Sequence, residues 1–179
     1  MGEMTEPLIR GVSPGDFEAV AALTNHFILK TSIHFGTEPV TAAELRGSWE
    51  KSQSRYPFLV IESNGRFAGY AKAGVWRERA AYAWTPETGI YLEEHARGSG
   101  LGVRLYSALI QELQRRGFQS AVAGITLPNA PSVRLHERCG FVHVGTVTRA
   151  GFKVGQWYDV GFWQVMLDPT GSAPRPLPS

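Results

Sequence analysis

The sequence predicts a mixed α/β domain of about seven strands and four helices. Three observations lead there. The chain has 179 residues, 43% apolar and 19% charged, which suits one buried core with an ordinary globular surface. Leucines at 101, 105, 109 and 113 recur every four residues, the period of a helix with one apolar face. Elsewhere, short apolar runs bounded by turn residues read as strands interleaved with the helices.

The elements follow in order. Leu8–Val12 is a short first strand. Ser13-Pro14 then reads as an N-cap followed by proline at the first helical position, opening a helix from about Gly15 to Lys30. Thr41-Ala-Ala-Glu44 has the capping-box pattern and starts a second helix toward Ser54. Pro57 interrupts. Phe58–Glu62 and Arg66–Val75 are strand-like and flank Asn64-Gly65, a hairpin signal. Glu87–Leu92 is another strand. Gly100–Arg116 is the leucine-patterned helix, closed by Arg115-Arg116-Gly117. Ser120–Ile125 is a strand, Pro131–Cys139 a short helix ended by Gly140. Phe141–Thr148 and Asp159–Met166 are the last strands, expected to pair. The body ends near Leu167, so one domain is expected over 1–167. The last twelve residues, DPTGSAPRPLPS, hold four prolines and no apolar period. This tail (168–179) is expected to be disordered or loosely draped over the surface.

Bulk properties narrow the function. Eighteen Lys and Arg against sixteen Asp and Glu leave a charge of +2, with a pI of 8.8 and no basic cluster. Nucleic acid is therefore not an expected partner. No apolar run is long enough to span a bilayer, and MGEMTEPLIR lacks the apolar core of a secretory signal. The single cysteine, Cys139, cannot form an internal disulfide, which favours a reducing, cytoplasmic setting. No clustered His/Cys spacing suggests a metal.

The segment Gly89–Tyr106, GIYLEEHARGSGLGVRLY, carries the chemistry. It reads as a strand, a turn of Arg97, Gly98, Ser99, Gly100, Leu101 and Gly102, then a helix. That order aims backbone N–H groups and a positive helix end at one point. Glycines let the backbone approach a ligand closely. A phosphate or pyrophosphate is the natural guest, with Arg97 and Arg104 able to add charge-assisted contacts. No Lys-Ser/Thr follows the glycines, so this is not a Walker A loop. Val103 occupies the last glycine position of a dinucleotide fingerprint.

The spacing R-x-x-G-x-G resembles the pyrophosphate loop of the GNAT superfamily of acetyl-CoA-dependent N-acetyltransferases. About 30 residues on, Asn129-Ala-Pro-Ser132-Val-Arg-Leu-His136-Glu-Arg-Cys-Gly140-Phe141 resembles the later segment of the same family. The likeness runs from about Leu8 to Leu167 and is greatest to the phosphinothricin and methionine sulfoximine/sulfone N-acetyltransferases. Its residues include Asn25-His26, Thr37-Glu38-Pro39, Arg55-Tyr56-Pro57, Trp84-Thr85, Gly151-Phe-Lys153 and Trp157-Tyr-Asp159. Gly89 departs from it, standing where phosphinothricin-specific members carry Thr.

The resemblance implies a mixed, mostly antiparallel sheet and acetyl-CoA as co-substrate. It further implies a small amine as acceptor and a homodimer. Two central strands would splay so that Ile90, Tyr91 and Leu92 offer backbone to the pantetheine arm. Arg97 to Gly102 would hold the pyrophosphate, while Asn129 and Ser132 would contact the cofactor.

An alkyl ammonium must lose a proton before it can attack a thioester. Glu87, at the start of a central strand in an apolar run, is the candidate base, directly or through a water. The resemblance points to the same residue. His136 stands where many members have a tyrosine that protonates the thiolate. Either it acts as acid or base, or it only hydrogen-bonds. Arg77 and Arg79 alternate, so on an extended segment they share a face and could grip a substrate carboxylate. Phe35, Tyr82 and Val160 resemble substrate-pocket residues. Cys139 reads as structural, so direct attack without an acyl-cysteine is expected. A peptide acetyltransferase and a non-catalytic acyl-CoA-binding module are the alternatives on the same fold.

Overall fold

The computed structural model describes residues 6–178. Met1–Thr5, half of the stretch read above as no secretory signal, and Ser179, the last residue of the tail, lie outside the described residues. Eleven main elements follow in order: β1 (Leu8–Gly11), α1 (Phe17–Lys30), α2 (Ala42–Glu50), β2 (Phe58–Ser63), β3 (Arg66–Gly74), β4 (Glu87–Leu92), α3 (Leu101–Arg116), β5 (Ser120–Leu127), α4 (Ala130–Arg138), β6 (Val142–Lys153) and β7 (Gln156–Met166). The strands form one seven-stranded sheet in the order β1-β2-β3-β4-β5-β7-β6. Every pairing is antiparallel except β4 with β5.

Local chemistry sets most boundaries. Thr41 and Glu44 form the expected box: Glu44 N donates to Thr41 Oγ1 at 3.2 Å and Thr41 N to Glu44 Oε2 at 2.8 Å. Before α1, Ser13 N donates to Asp16 Oδ2 at 2.7 Å, and one 3₁₀ turn (Pro14–Asp16) precedes the helix at Phe17. Arg10 grips Asp16 and Glu62 together, and its guanidinium holds the Asp16 carboxyl down at about 2. Asn64 and Gly65 both have positive φ (52° and 71°), as a tight hairpin turn needs.

Two sets of apolar side chains cover the sheet. Val60 and Tyr70 face α1, packing with Phe17, Val20, Leu23 and Phe27. Ile61 and Ala71, one residue out of phase, face the leucines of α3, and Ala68 joins them past the irregularity in the β2–β3 register. Strand alternation thus sends neighbouring residues into opposite layers. Leu105, Leu109 and Leu113 are fully buried, and Leu101 is nearly so.

Several boundaries differ from expectation, β5 running to Leu127 among them. α2 ends at Glu50, not near Ser54, and turns fill the gap to Pro57. β6 and β7 run to Lys153 and from Gln156, joined by the two-residue turn Val154-Gly155. The sequence hid this length because β6 carries irregularities, one between Val147 and Gly151 around Arg149 at φ 49°. Such a bulge breaks strict alternation. Residues 168–178 have no regular structure, yet Trp84 Nε1 donates to the Arg175 carbonyl at 2.9 Å and Leu177 packs against the α3-side core.

Candidate active site

β4 pairs with β5 only at Glu87–Val122. Beyond that point the strands part. β4 keeps its full pairing with β3 on the other side, from Glu87–Gly74 to Leu92–Gly69. The backbone of Ile90, Tyr91 and Leu92 toward β5 is thus not used by the sheet. An extended ligand with amide groups could hydrogen-bond there.

The loop after β4 leads to α3. Gly98 and Gly100 have φ of +73° and +83°, conformations that side chains resist. A Cβ on either would meet nothing within 4 Å, so the loop faces open space. Ser99 Oγ donates to the Ala96 carbonyl and fixes the turn at 2.7 Å. No side chain caps α3 at Gly100. Its first N–H groups remain for an anion. Leu101 and Gly102 are buried. Arg97 donates to the Leu92 carbonyl (3.2 and 3.3 Å) and lies over the Phe27 ring. In this structure it braces the loop. Arg104 pairs with Glu6 on the surface at 3.0 Å.

α4 lies beside this cradle. Asn129 caps it, accepting from Ser132 N at 3.3 Å. His136 is buried between Tyr106 and Phe141, with ring centroids at 4.8 and 5.4 Å. Its Nδ1 lies 2.8 Å from the Ser132 carbonyl. Burial pushes its pKa below the ordinary histidine value. Tyr106 in turn hydrogen-bonds Thr88 at 2.7 Å, one residue from Glu87.

On the opposite face of β4 lies a cavity of about 530 Å³. Glu87, Gly89 and Tyr91 line it from β4, Lys72 from β3, Phe58 from β2, Trp49 and Ser52 from the α2 region, and Gly124 from β5. Glu87 remains open to this space. The apolar surround nevertheless desolvates its carboxylate and raises its pKa. A Cβ on Gly124 would sit 3.4 Å from Glu87 Oε1 and 3.6 Å from Val160. Glycine there makes room for the carboxylate, and Val160 lies just behind. Half-buried Tyr91 is pushed up to about 12 by desolvation and by the charge of Glu87.

Not every expected substrate contact lies on this wall. Arg77 and Arg79 are exposed on the loop between β3 and β4, which is bent, not extended. Arg77 lies over the Trp76 ring at 5.3 Å, and Tyr82 meets the same ring edge-on at 5.4 Å. Phe35 packs against Gly151 of β6, where a Cβ would leave it no space. The sequence reading also missed residues that line the cavity: Trp49, Phe58, Lys72 and Gly124. For Lys72 a signal existed, a lone lysine inside the apolar strand run FAGYAKAG.

The donor cradle fits a CoA-type molecule. It joins an unpaired strand edge for amide groups to an uncapped helix end for phosphates. Comparisons with known proteins agree. The model of the acetyltransferase (GNAT) family matches residues 21–141. A phosphinothricin N-acetyltransferase from Streptomyces viridochromogenes is 44% identical, covering 94% of this chain and 92% of that protein. An L-methionine sulfoximine/L-methionine sulfone acetyltransferase from Pseudomonas aeruginosa is 37% identical over 93% and 98%. An acetyltransferase structure from Salmonella typhimurium, with its cofactor acetyl-CoA, superimposes with a TM-score of 0.90 at 35% identity, covering 94% and 98%. A phosphinothricin acetyltransferase from Sinorhizobium meliloti, in complex with AcCoA, gives 0.90 at 29%, covering 96% and 94%. The chain therefore belongs to the GNAT family of acetyltransferases.

Proposed function

We propose that this protein transfers the acetyl group of acetyl-CoA to the amino group of a small, amino-acid-like substrate of the phosphinothricin, methionine sulfoximine or methionine sulfone type. One observation carries the reading: Glu87 stands where β4 and β5 part. The proton acceptor thus lies at the apex of the opening that admits the donor, and on the wall of the cavity that would admit the amine.

When bound, acetyl-CoA supplies an activated thioester. Glu87 takes the proton from the substrate ammonium, directly or through a water. Burial raises its pKa, which improves it as a base. The freed nitrogen attacks the carbonyl carbon, the C–S bond breaks, and a proton returns to the thiolate. His136 is sealed between two rings, which supports a positioning part through Tyr106 and Thr88. Direct attack needs no cysteine, and Cys139 is free and half-buried on the α4 side, its thiol pKa raised by burial. Arg77 and Arg79 are assigned to the substrate carboxylate, with Phe35, Tyr82 and Val160 around it. A homodimer is supported by apolar surface on β6 and β7, where Val142, Phe152 and Trp157 are more than half exposed. A free thiol as the only cysteine fits a cytoplasmic setting.

The test is thiol release from acetyl-CoA across a panel of amino acids, their sulfone, sulfoximine and phosphinate analogues, polyamines and peptides. Selective turnover of the amino-acid analogues is expected. Glu87→Gln should lower kcat by about 10²–10⁴ with acetyl-CoA affinity kept. Turnover of peptides alone would sink the substrate assignment. Loss of cofactor binding in the variant would make Glu87 structural.

A further inference from the structure

We propose that Lys72 is the specificity residue of the cavity, and that it receives an acidic group on the substrate side chain, separate from the α-carboxylate. The inference rests on the acetyl-transfer reading above and deepens it. The preferred acceptor is then an amino acid ending in a side-chain oxyanion, such as a carboxylate or phosphinate, rather than a neutral sulfone.

Register places the lysine. On β3, Lys72 pairs directly with Gly89 of β4 and with Phe58 of β2. Directly paired residues point to the same face of a sheet. Glu87 is two positions along β4 from Gly89, so it lies diagonal to Lys72 on that face. Diagonal positions are about 7–8 Å apart at the backbone, and both side chains line the same cavity. Gly89 lies between them without a side chain, and its Cβ position meets only Tyr91, at 3.6 Å. The space in front of the ammonium is therefore clear.

Lys72 also lacks a counter-ion among the described residues. Among the described residues its ammonium has no hydrogen-bond or ion-pair partner; its one close interaction is with the Phe58 ring, 5.9 Å away. Burial and the positive charges of Lys72 and Lys153 hold His34 below the ordinary histidine value. Burial lowers the Lys72 pKa accordingly. An unpaired cation in a poorly solvated wall is costly, and an incoming anion relieves that cost. A neutral sulfone oxygen accepts a hydrogen bond but cancels no charge, so it gains less.

The test compares kcat/KM for two acceptors of similar size, phosphinothricin and methionine sulfone, in the wild type, Lys72→Met and Lys72→Arg. The wild type is expected to favour the phosphinate at least tenfold. Lys72→Met should collapse that ratio at least tenfold, and Lys72→Arg should restore most of it. Lys72→Gln reads the same ratio should the methionine variant fail to fold. An unchanged ratio in Lys72→Met, or no phosphinate preference in the wild type, would overturn the assignment while leaving acetyl transfer intact. No thiol release with any amine would instead overturn the acetyl-transfer reading, and this inference with it.

Discussion

Gly102→Ala probes the donor cradle through packing alone. Gly102 lies in the first turn of α3, facing Leu135 of α4 and Leu92 at the end of β4. An added Cβ would lie 2.6 Å from Leu135 Cδ1 and 2.9 Å from Leu92 Cδ1. Relaxed carbon pairs sit at about 3.5–4.0 Å, so either the leucines yield by about 1 Å or the helix end lifts. The neighbours are branch ends, so part of the strain can relax. Overpacking costs about 1–3 kcal/mol, and replacing Gly by Ala inside a helix returns about 1 kcal/mol. The net loss is about 1 kcal/mol, or a fall in Tm of about 2–4 °C at this chain length. Cofactor binding should suffer more. Losing one charge-assisted hydrogen bond from the displaced helix end costs about 1.5–3 kcal/mol, a tenfold or greater loss of affinity at about 1.4 kcal/mol per decade. Calorimetric titration with acetyl-CoA, beside a thermal melt, measures both. A lowered Tm with undiminished affinity would refute the helix end as the phosphate site. A raised Tm would show that the leucines simply move aside.

Three further outcomes are expected. Replacing Arg77 and Arg79 together by Ala should raise KM for amino-acid acceptors far more than it lowers turnover of a simple amine; equal losses would remove the carboxylate grip. Because burial depresses the His136 pKa in the folded state, the unfolded chain binds its proton more readily. Stability should therefore fall as pH drops below about 6.5, and His136→Gln should flatten that part of the profile in chemical denaturation. Asp16 is held down at about 2 by Arg10, so its contribution is complete above the ordinary aspartate range and lost as pH falls toward 2. Asp16→Ala should cost about 1–2 kcal/mol at neutral pH and clearly less near pH 2, where Asp16 is about half protonated, read from urea midpoints.

Much of the scaffold was legible because it is locally encoded. The Thr41–Glu44 box, the Asn64-Gly65 turn and the leucine stripe of α3 each rest on chemistry within a few residues. The glycine loop was legible for the same reason: Gly98 and Gly100 take the left-handed conformations that only local sequence can license cheaply. β6 was not, since its irregularity at Arg149 is set by pairing with β7 rather than by its own pattern.

By itself, the sequence determined the kinds and order of elements, the glycine-rich turn before α3 and Glu87 as the base to test. Only the tertiary structure decided what surrounds them. For His136 the sequence left acid–base and hydrogen-bonding roles open, and packing closes two rings over it. Arg77 and Arg79 looked like one face, yet their segment bends. Lys72 looked like one lysine in a strand, yet register sets it across from Gly89 and diagonal to Glu87. The physical reason is common to all three. Propensity and capping act over three or four residues, whereas burial, solvation and charge pairing depend on which distant strands and helices meet.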